Sequence, residues 1–427
     1  MRGSVVLAPI SLAIAAAVLI DRFMHRRRWH AEAQAAIDLH GVNHLVKPVF
    51  LPEARVQDGK VFPLALGPAV PSSATLADRR QFVHNHRGLL LRLLHSHGSV
   101  LLRGWGAANA ADFAELADSI SIPMSDMRCS AGPRTDVASH RAAVVFTANE
   151  APPSERIPFH HEMAQCDSPP SVVCFFCERG ATTGGATPIV QSHHAARFLR
   201  ERHPAVAEKL ATLGVRYVRV MPEQTDPSSA LGKSWRICVA PTADAAERKL
   251  DADGATYKWL THPDGSRMLH VVTKPVPALL VEERTGREVF FTAAESTFNR
   301  VADEEDDGTA RATSGAGAER VCPTKALIYG DGAPLDGATR EALREVAAFM
   351  ERERVAFRWE PGDALLIDNA TVMHSRDNFS GPRRILASLV GRLDKSPQLR
   401  EASKPKRALE VKLKLSPSTT MADLRVS

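Results

Sequence analysis

In the stretch Pro158-Phe159-His160-His161-Glu162-Met163-Ala164-Gln165 two imidazoles stand side by side next to a carboxylate, in otherwise apolar company. In an extended chain alternate side chains take opposite faces, so His160 and Glu162 point one way and His161 the other. An imidazole and a carboxylate on one face can share a metal ion or a hydrogen bond. Two protein ligands are too few for a catalytic metal. The best third is His374, in "GDALLIDNATVMHSRDNFSGPRRILASLVGR".

Two His and one carboxylate on one side of an ion give the facial arrangement of non-haem Fe(II) oxygenases, with three positions left for a bidentate co-substrate and dioxygen. Other readings of the same residues stay open. The three donors also suit zinc in a metal-dependent hydrolase, a structural histidine hydrogen-bonded to Glu162 explains HxE alone, and a catalytically silent barrel serves as a binding or scaffold protein.

Three segments, in this order, narrow the choice: "VVFTANEAPPSERIPFHHEMAQCDSPPSVVCFFCERGATTGGATPI", "YGDGAPLDGATREAL" and "FRWEPGDALLIDNATVMHSRDNFSGPRRILASLVGR", with "GSVLLRGW" upstream. They resemble the taurine dioxygenase and clavaminate synthase-like (TauD/TfdA) superfamily of Fe(II)/2-oxoglutarate oxygenases, over about residues 95 to 393. The resemblance implies that His160, Glu162 and His374 hold Fe(2+), with 2-oxoglutarate and O2 as co-substrates. It makes Arg384 the clamp on the distal carboxylate of 2-oxoglutarate, through two parallel charge-assisted hydrogen bonds. Thr187, in "GGATPI", adds a hydroxyl to that carboxylate, and Arg376 contacts the co-substrate or the substrate. Arg383, facing away from its neighbour Arg384, is expected outside the barrel mouth. Three departures stand out: His161 where the family most often has Asn, "GGAT" for "GGET", and "HSR" for "HGR". None removes a ligand. His161 is expected at the pocket edge, titrating near neutral pH.

The implied reaction converts 2-oxoglutarate to succinate and CO2 while a small-molecule substrate is oxidised. Retention of Glu162 favours hydroxylation over halogenation, with desaturation or ring closure as further outcomes. A small amino-acid-like or carboxylate-containing metabolite is the expected substrate, and Met163, Asn149 and Phe298 are candidates for the pocket wall.

Elements must position these residues. Short β-rich segments run over Val144 to Thr147, Ser171 to Cys177, Thr187 to Val190, Val289 to Thr292, Ala364 to Ile367 and Ile385 to Val390. Helical spacing marks Leu76 to His97, a segment from Asn109, and Asp336 to Arg354, with Gly98 as a stop signal. Many short strands separated by long connections predict an α+β protein with a double-stranded β-helix (jelly-roll) core flanked by helices. The expected divisions are an apolar segment at 1–30, a helical extension at 31–94, the oxygenase domain at 95–393 with a surface insertion at 301–319, and a basic tail at 394–427.

The net charge of +5 is carried by the ends: residues 1–30 and 394–427 hold +4 each, which leaves the body at about −3. A basic nucleic-acid-binding face is therefore not expected. Six cysteines follow no disulfide spacing, and Cys174 and Cys177 lie in an apolar run that reads as a buried strand, so a reducing compartment fits. Ser4 to Ile20 is an apolar run of 17 residues followed by Arg26-Arg27-Arg28. At ~1.5 Å per residue it reaches roughly 25 Å, so a membrane anchor with the catalytic domain facing the cytosol is expected, an organelle-targeting peptide being the alternative. Two glycosylation sequons, at Asn369 and Asn378, flank His374 and make a lumenal location awkward.

Overall fold

The structure, a computed structural model, describes residues 8–39, 46–69, 75–120, 136–141, 143–148, 151–226, 233–261, 265–293, 311–313, 319–321 and 324–391. Its frame is a pair of stacked sheets. The large sheet has eight strands, in the order Val46–Pro48, Leu64–Pro68, Ser99–Leu102, Ala364–Asp368, Val172–Arg179, Arg384–Val390, Ala143–Thr147 and Asp136–His140. The small sheet has three antiparallel strands, Ile189–Gln191, Val372–Arg376 and Ile157–His160. Ile189 and Val372 of the small sheet share one buried cluster with Val173, Phe175, Leu365 and Leu386 of the large one. This is the jelly-roll core of an α+β protein.

The central strand Val172–Arg179 shows why the apolar run "VVCFFC" needs no alternation. One face meets the small sheet, where the Phe175 ring lies 5.0 Å from that of His374. The other meets helix Ala110–Ile120, whose Phe113 stacks on Phe176 at 4.9 Å. A strand covered on both faces is apolar throughout. Cys174 and Cys177 are buried within it, and burial pushes both thiols up to about 12. An odd spacing along a strand puts them on opposite faces, so they do not act as a pair.

Helix Leu76–His97 starts where Thr75 and Asp78 form a reciprocal capping box and ends at Gly98, whose φ of 76° is left-handed. A Cβ at Gly98 would lie 2.8 Å from Cγ2 of Val372, so glycine also lets the helix end pass close to the strand that carries His374.

The amino-terminal region differs from expectation. Residues 31–94 are not simply helical: four short strands lie between Val46 and Pro68, and Val46–Pro48 and Leu64–Pro68 extend the large sheet. Helix Ala8–Leu39 runs unbroken from the apolar segment through Arg26-Arg27-Arg28. Its far half docks on the domain through Trp29, Ala33 and Ile37, an i, i+4, i+8 stripe with no exposure. Trp29 meets Phe50 edge-on at 5.3 Å. Among the described residues no helix is long and apolar enough to cross a membrane, and this overturns the expected anchor at residues 4–20 and the localisation built on it. The apolar run falls short of the ~30 Å of a bilayer core. Trp29→Ala is expected to cost about 3–5 kcal/mol of stability, the usual range for emptying a buried indole site, read as a lower midpoint of denaturant unfolding.

A further, four-stranded antiparallel sheet lies outside what the sequence pattern predicts. Its order is Thr256–Thr261, Arg267–Val272, Val215–Pro222 and Thr324–Tyr329. Helices Trp235–Cys238 and Ala243–Ala252 accompany it, and Trp235, Leu250 and Leu269 form its own apolar cluster. Of the expected insertion at 301–319, the described part pairs Arg311–Thr313 with Glu319–Val321. The tail at 394–427 lies outside the described residues.

Candidate functional site

The small sheet brings the metal donors together by register. His160 ends its strand directly opposite His374, which is also paired with Ile189 on its other side. The imidazole centroids are 4.3 Å apart. Glu162 is not in the strand, which stops at His160. A turn delivers its carboxylate, with Met163 held at a left-handed φ of 56° and Cys166 N donating to Met163 O at 2.9 Å. A non-glycine residue in that region is strained and persists only where surroundings impose it.

Asn369 imposes it. Its side-chain Oδ1 accepts from Glu162 N at 2.8 Å, and its Nδ2 donates to Glu162 O and Pro170 O, both at 2.9 Å. Its own carbonyl accepts from His161 Nδ1 at 2.6 Å. One buried asparagine thus fixes the backbone of a ligand through its amide and the ring of the neighbouring His161 through its carbonyl. The sequence reading had noted Asn369 only as a sequon, which its burial places out of reach of a glycan in the folded chain. Removing the amide leaves buried backbone groups unsatisfied at ~1–3 kcal/mol each. Asn369→Ala is therefore expected to lower stability by about 3 kcal/mol and to weaken iron binding, measured by thermal unfolding and by metal content after dialysis.

One ring nitrogen each of His160 and His374 and a carboxylate oxygen of Glu162 lie within 4.8 Å of one another, the residues being 7 %, 4 % and 3 % exposed. His374 Nε2 stands 3.7 Å from Glu162 Oε2, inside the span that two donors each ~2.0–2.2 Å from one ion allow. His160 Nδ1 donates to Pro158 O at 2.9 Å, which turns the lone pair of Nε2 toward the cluster. The donor set therefore fits a divalent iron. His161 lies elsewhere: it is fully buried, stacked on Phe291 at 4.3 Å, and burial pushes it down to about 3. The expectation that it titrates near neutral pH at the pocket edge is overturned.

The arginines fall differently from expectation. Arg384, the expected clamp, is half exposed and pairs with Glu178 at 2.5 Å. Alternation explains it: Ala387 pairs with the inward Phe175, so Ile385 and Arg383 share the inner face and Arg384 takes the outer one. Arg383 takes the inner place, donating through Nε to Gly185 O at 2.9 Å and through Nη2 to Thr187 Oγ1 at 3.4 Å. A Cβ at Gly185 would meet Arg383 Cδ at 3.0 Å, so the "GG" before Thr187 leaves room for this guanidinium. Burial first, and then Arg376, push Arg383 down to about 10, so it stays charged at neutral pH. Among the described residues no carboxylate pairs with it. Thr187, buried, also accepts from Trp359 Nε1 at 3.2 Å. Arg376 donates to the carbonyls of Ala151, Pro152 and Glu155 at 2.5–2.8 Å. It fastens the loop that leads into the His160 strand. Met163 lines a cavity of about 230 Å3 with Arg219, Met221 and Leu250, whereas Asn149 and Phe298 lie outside the described residues.

Comparison with known proteins agrees with this geometry. The profile of the "Taurine catabolism dioxygenase TauD, TfdA family" matches residues 60–389. A clavaminate synthase-like protein of Arabidopsis thaliana (At3g21360) is 35% identical over 344 residues, covering 79% of this chain and 96% of the relative. The dapdiamide synthesis protein DdaC of Enterobacter agglomerans is 22% identical, covering 75% of this chain and 90% of its own. Among solved structures, PvcB of Pseudomonas aeruginosa aligns at 16% identity and a TM-score of 0.41, over 81% of this chain and 90% of that one. With its profile match and its Arabidopsis relative, the chain belongs to the TauD/TfdA family and is a 2-oxoglutarate-dependent oxygenase.

Proposed function

We propose that this dioxygenase hydroxylates a small carboxylate-containing or amino-acid-like metabolite, with His160, Glu162 and His374 holding the iron and Arg383 clamping the distal carboxylate of 2-oxoglutarate. The observation that carries the clamp is the Arg383 guanidinium, charged, partly buried, without a carboxylate partner among the described residues, and hydrogen-bonded to Thr187. A planar guanidinium so placed suits two parallel bonds to a carboxylate, and the Thr187 hydroxyl supplies a further contact. Bound iron supplies the coupling of dioxygen activation to decarboxylation of the keto acid. The chain supplies position: the sheet register aligns the imidazoles, Asn369 sets Glu162, and the burial of all three donors keeps bulk water off the metal. A zinc hydrolase would leave Arg383 and Thr187 without a task.

The test is succinate release by the full chain given Fe(II), 2-oxoglutarate and oxygen, followed by a metabolite screen read as oxygen uptake. Iron-dependent succinate is expected even without substrate, and a hydroxylated product (mass gain of one oxygen) with it. Turnover that needs zinc and no oxygen would sink the proposal.

A further inference from the structure

Around Thr371 and Val372, where the His374 strand begins, lies a cavity of about 430 Å3 that the oxygenase reaction does not use. Its walls come from four places: the turn Gln57–Lys60, the end of helix Leu76–His97, the start of helix Ser192–Arg202, and the turn between Arg284 and Arg287. Four cationic side chains line it, Lys60, Arg92, Arg284 and Arg287, together with His95 and His193.

The carboxylates nearby are already engaged. Asp58 accepts from Arg287 Nη1 at 2.8 Å and from His193 Nε2 at 2.7 Å. Burial alone would raise Asp58, yet the His193 hydrogen bond and the adjacent charges bring it down to about 2, so it remains ionised. Arg284 is held between Glu282 at 2.6 Å and Asp368 at 2.8 Å. The Lys60 ammonium, by contrast, has no ion pair or hydrogen bond among the described residues. Burial, followed by the cation of Arg287, lowers its pKa, the mark of positive charge that its surroundings do not fully offset. Burial also lowers His95, and brings His193 to about 4, so both are neutral at physiological pH; His193 donates its one N–H to Asp58. The helix adds to the field. Its N-cap, Gln191, lies in the cavity wall, makes no side-chain capping bond, and is followed by a first turn with no acidic residue. The positive end of the helix dipole opens here, beside the ionised Asp58.

We propose that this cavity is a second ligand site, which takes a small polyanion, with two or more negative charges on phosphate or carboxylate groups, between Lys60, Arg92 and Arg287. Such a ligand lies against the strand of His374, two residues from it, without touching the metal donors. It is thus distinct from 2-oxoglutarate on Arg383.

The test is calorimetric titration of the full-length protein with pyrophosphate and, in a separate arm, with citrate. The tighter of the two identifies phosphate or carboxylate as the preferred charge. Lys60→Gln and Arg92→Gln, both on partly or fully exposed side chains, are each expected to weaken that binding about tenfold, the scale of one charge-assisted contact. Arg383→Gln should leave it within about twofold while weakening 2-oxoglutarate. No binding of either anion by the wild type, unchanged affinity in both Lys60→Gln and Arg92→Gln, or loss of binding in Arg383→Gln would each overturn the site.

Discussion

His374→Ala is expected to bring 2-oxoglutarate-dependent succinate release to background and to empty the protein of iron on dialysis. The same holds for His160→Ala and Glu162→Ala. Changing partners outside the ligand set costs metalloproteins about 10–100-fold, so removing one of three ligands should exceed that range. His161→Ala is the control that separates ligand from neighbour. Its imidazole bonds the Asn369 carbonyl and stacks on Phe291, so its loss should cost about 2–4 kcal/mol of stability. Iron should stay. Full turnover in Glu162→Ala, or iron lost from His161→Ala and kept by His160→Ala, would dismantle this assignment.

The second large effect concerns co-substrate. Arg383→Lys keeps a positive charge but not the forked geometry, and should raise the apparent constant for 2-oxoglutarate by roughly tenfold to a hundredfold, or ~1.5–3 kcal/mol. Arg384→Lys alters an exposed pair with Glu178, worth ~0–1 kcal/mol, and should change the constant little. Thr187→Ala removes one neutral hydroxyl and should cost about 1 kcal/mol, less than tenfold. Because Arg383 loses its charge only as pH rises through about 10, affinity should be flat between pH 6 and 8. A larger rise for Arg384→Lys than for Arg383→Lys would move the clamp to the outer arginine and leave the iron site intact.

That His160, Glu162 and His374 belong together was legible from the motifs around them, although a turn rather than strand alternation brings Glu162 to the two imidazoles. The sheet frame was legible in runs such as Val172–Arg179 and Ala364–Asp368. The arginines were not. Which of the two adjacent guanidiniums lies inside is set by the pairing of Ala387 with the inward Phe175, a long-range register that nothing in "GPRRIL" announces. The structural bonds of Arg376 were not legible because backbone carbonyls, its partners, leave no trace in residue types. The apolar run before Asp21 resembled an anchor, while the informative signal was the later stripe of Trp29, Ala33 and Ile37. The extra sheet does carry a signal, the β-branched and aromatic residues of "VRYVRVMP".

The amide of Asn369 joins residues 207 positions apart in the chain. Closing a loop of that length costs on the order of 5 kcal/mol in chain entropy, and no local contact offsets it before the sheets have assembled. The metal centre is therefore a late product of folding. A chain still being synthesised holds His160 and Glu162 long before His374 exists, so it offers ferrous iron no chelating trio. Iron uptake during refolding should track the final consolidation of the barrel and lag behind the first formation of helices.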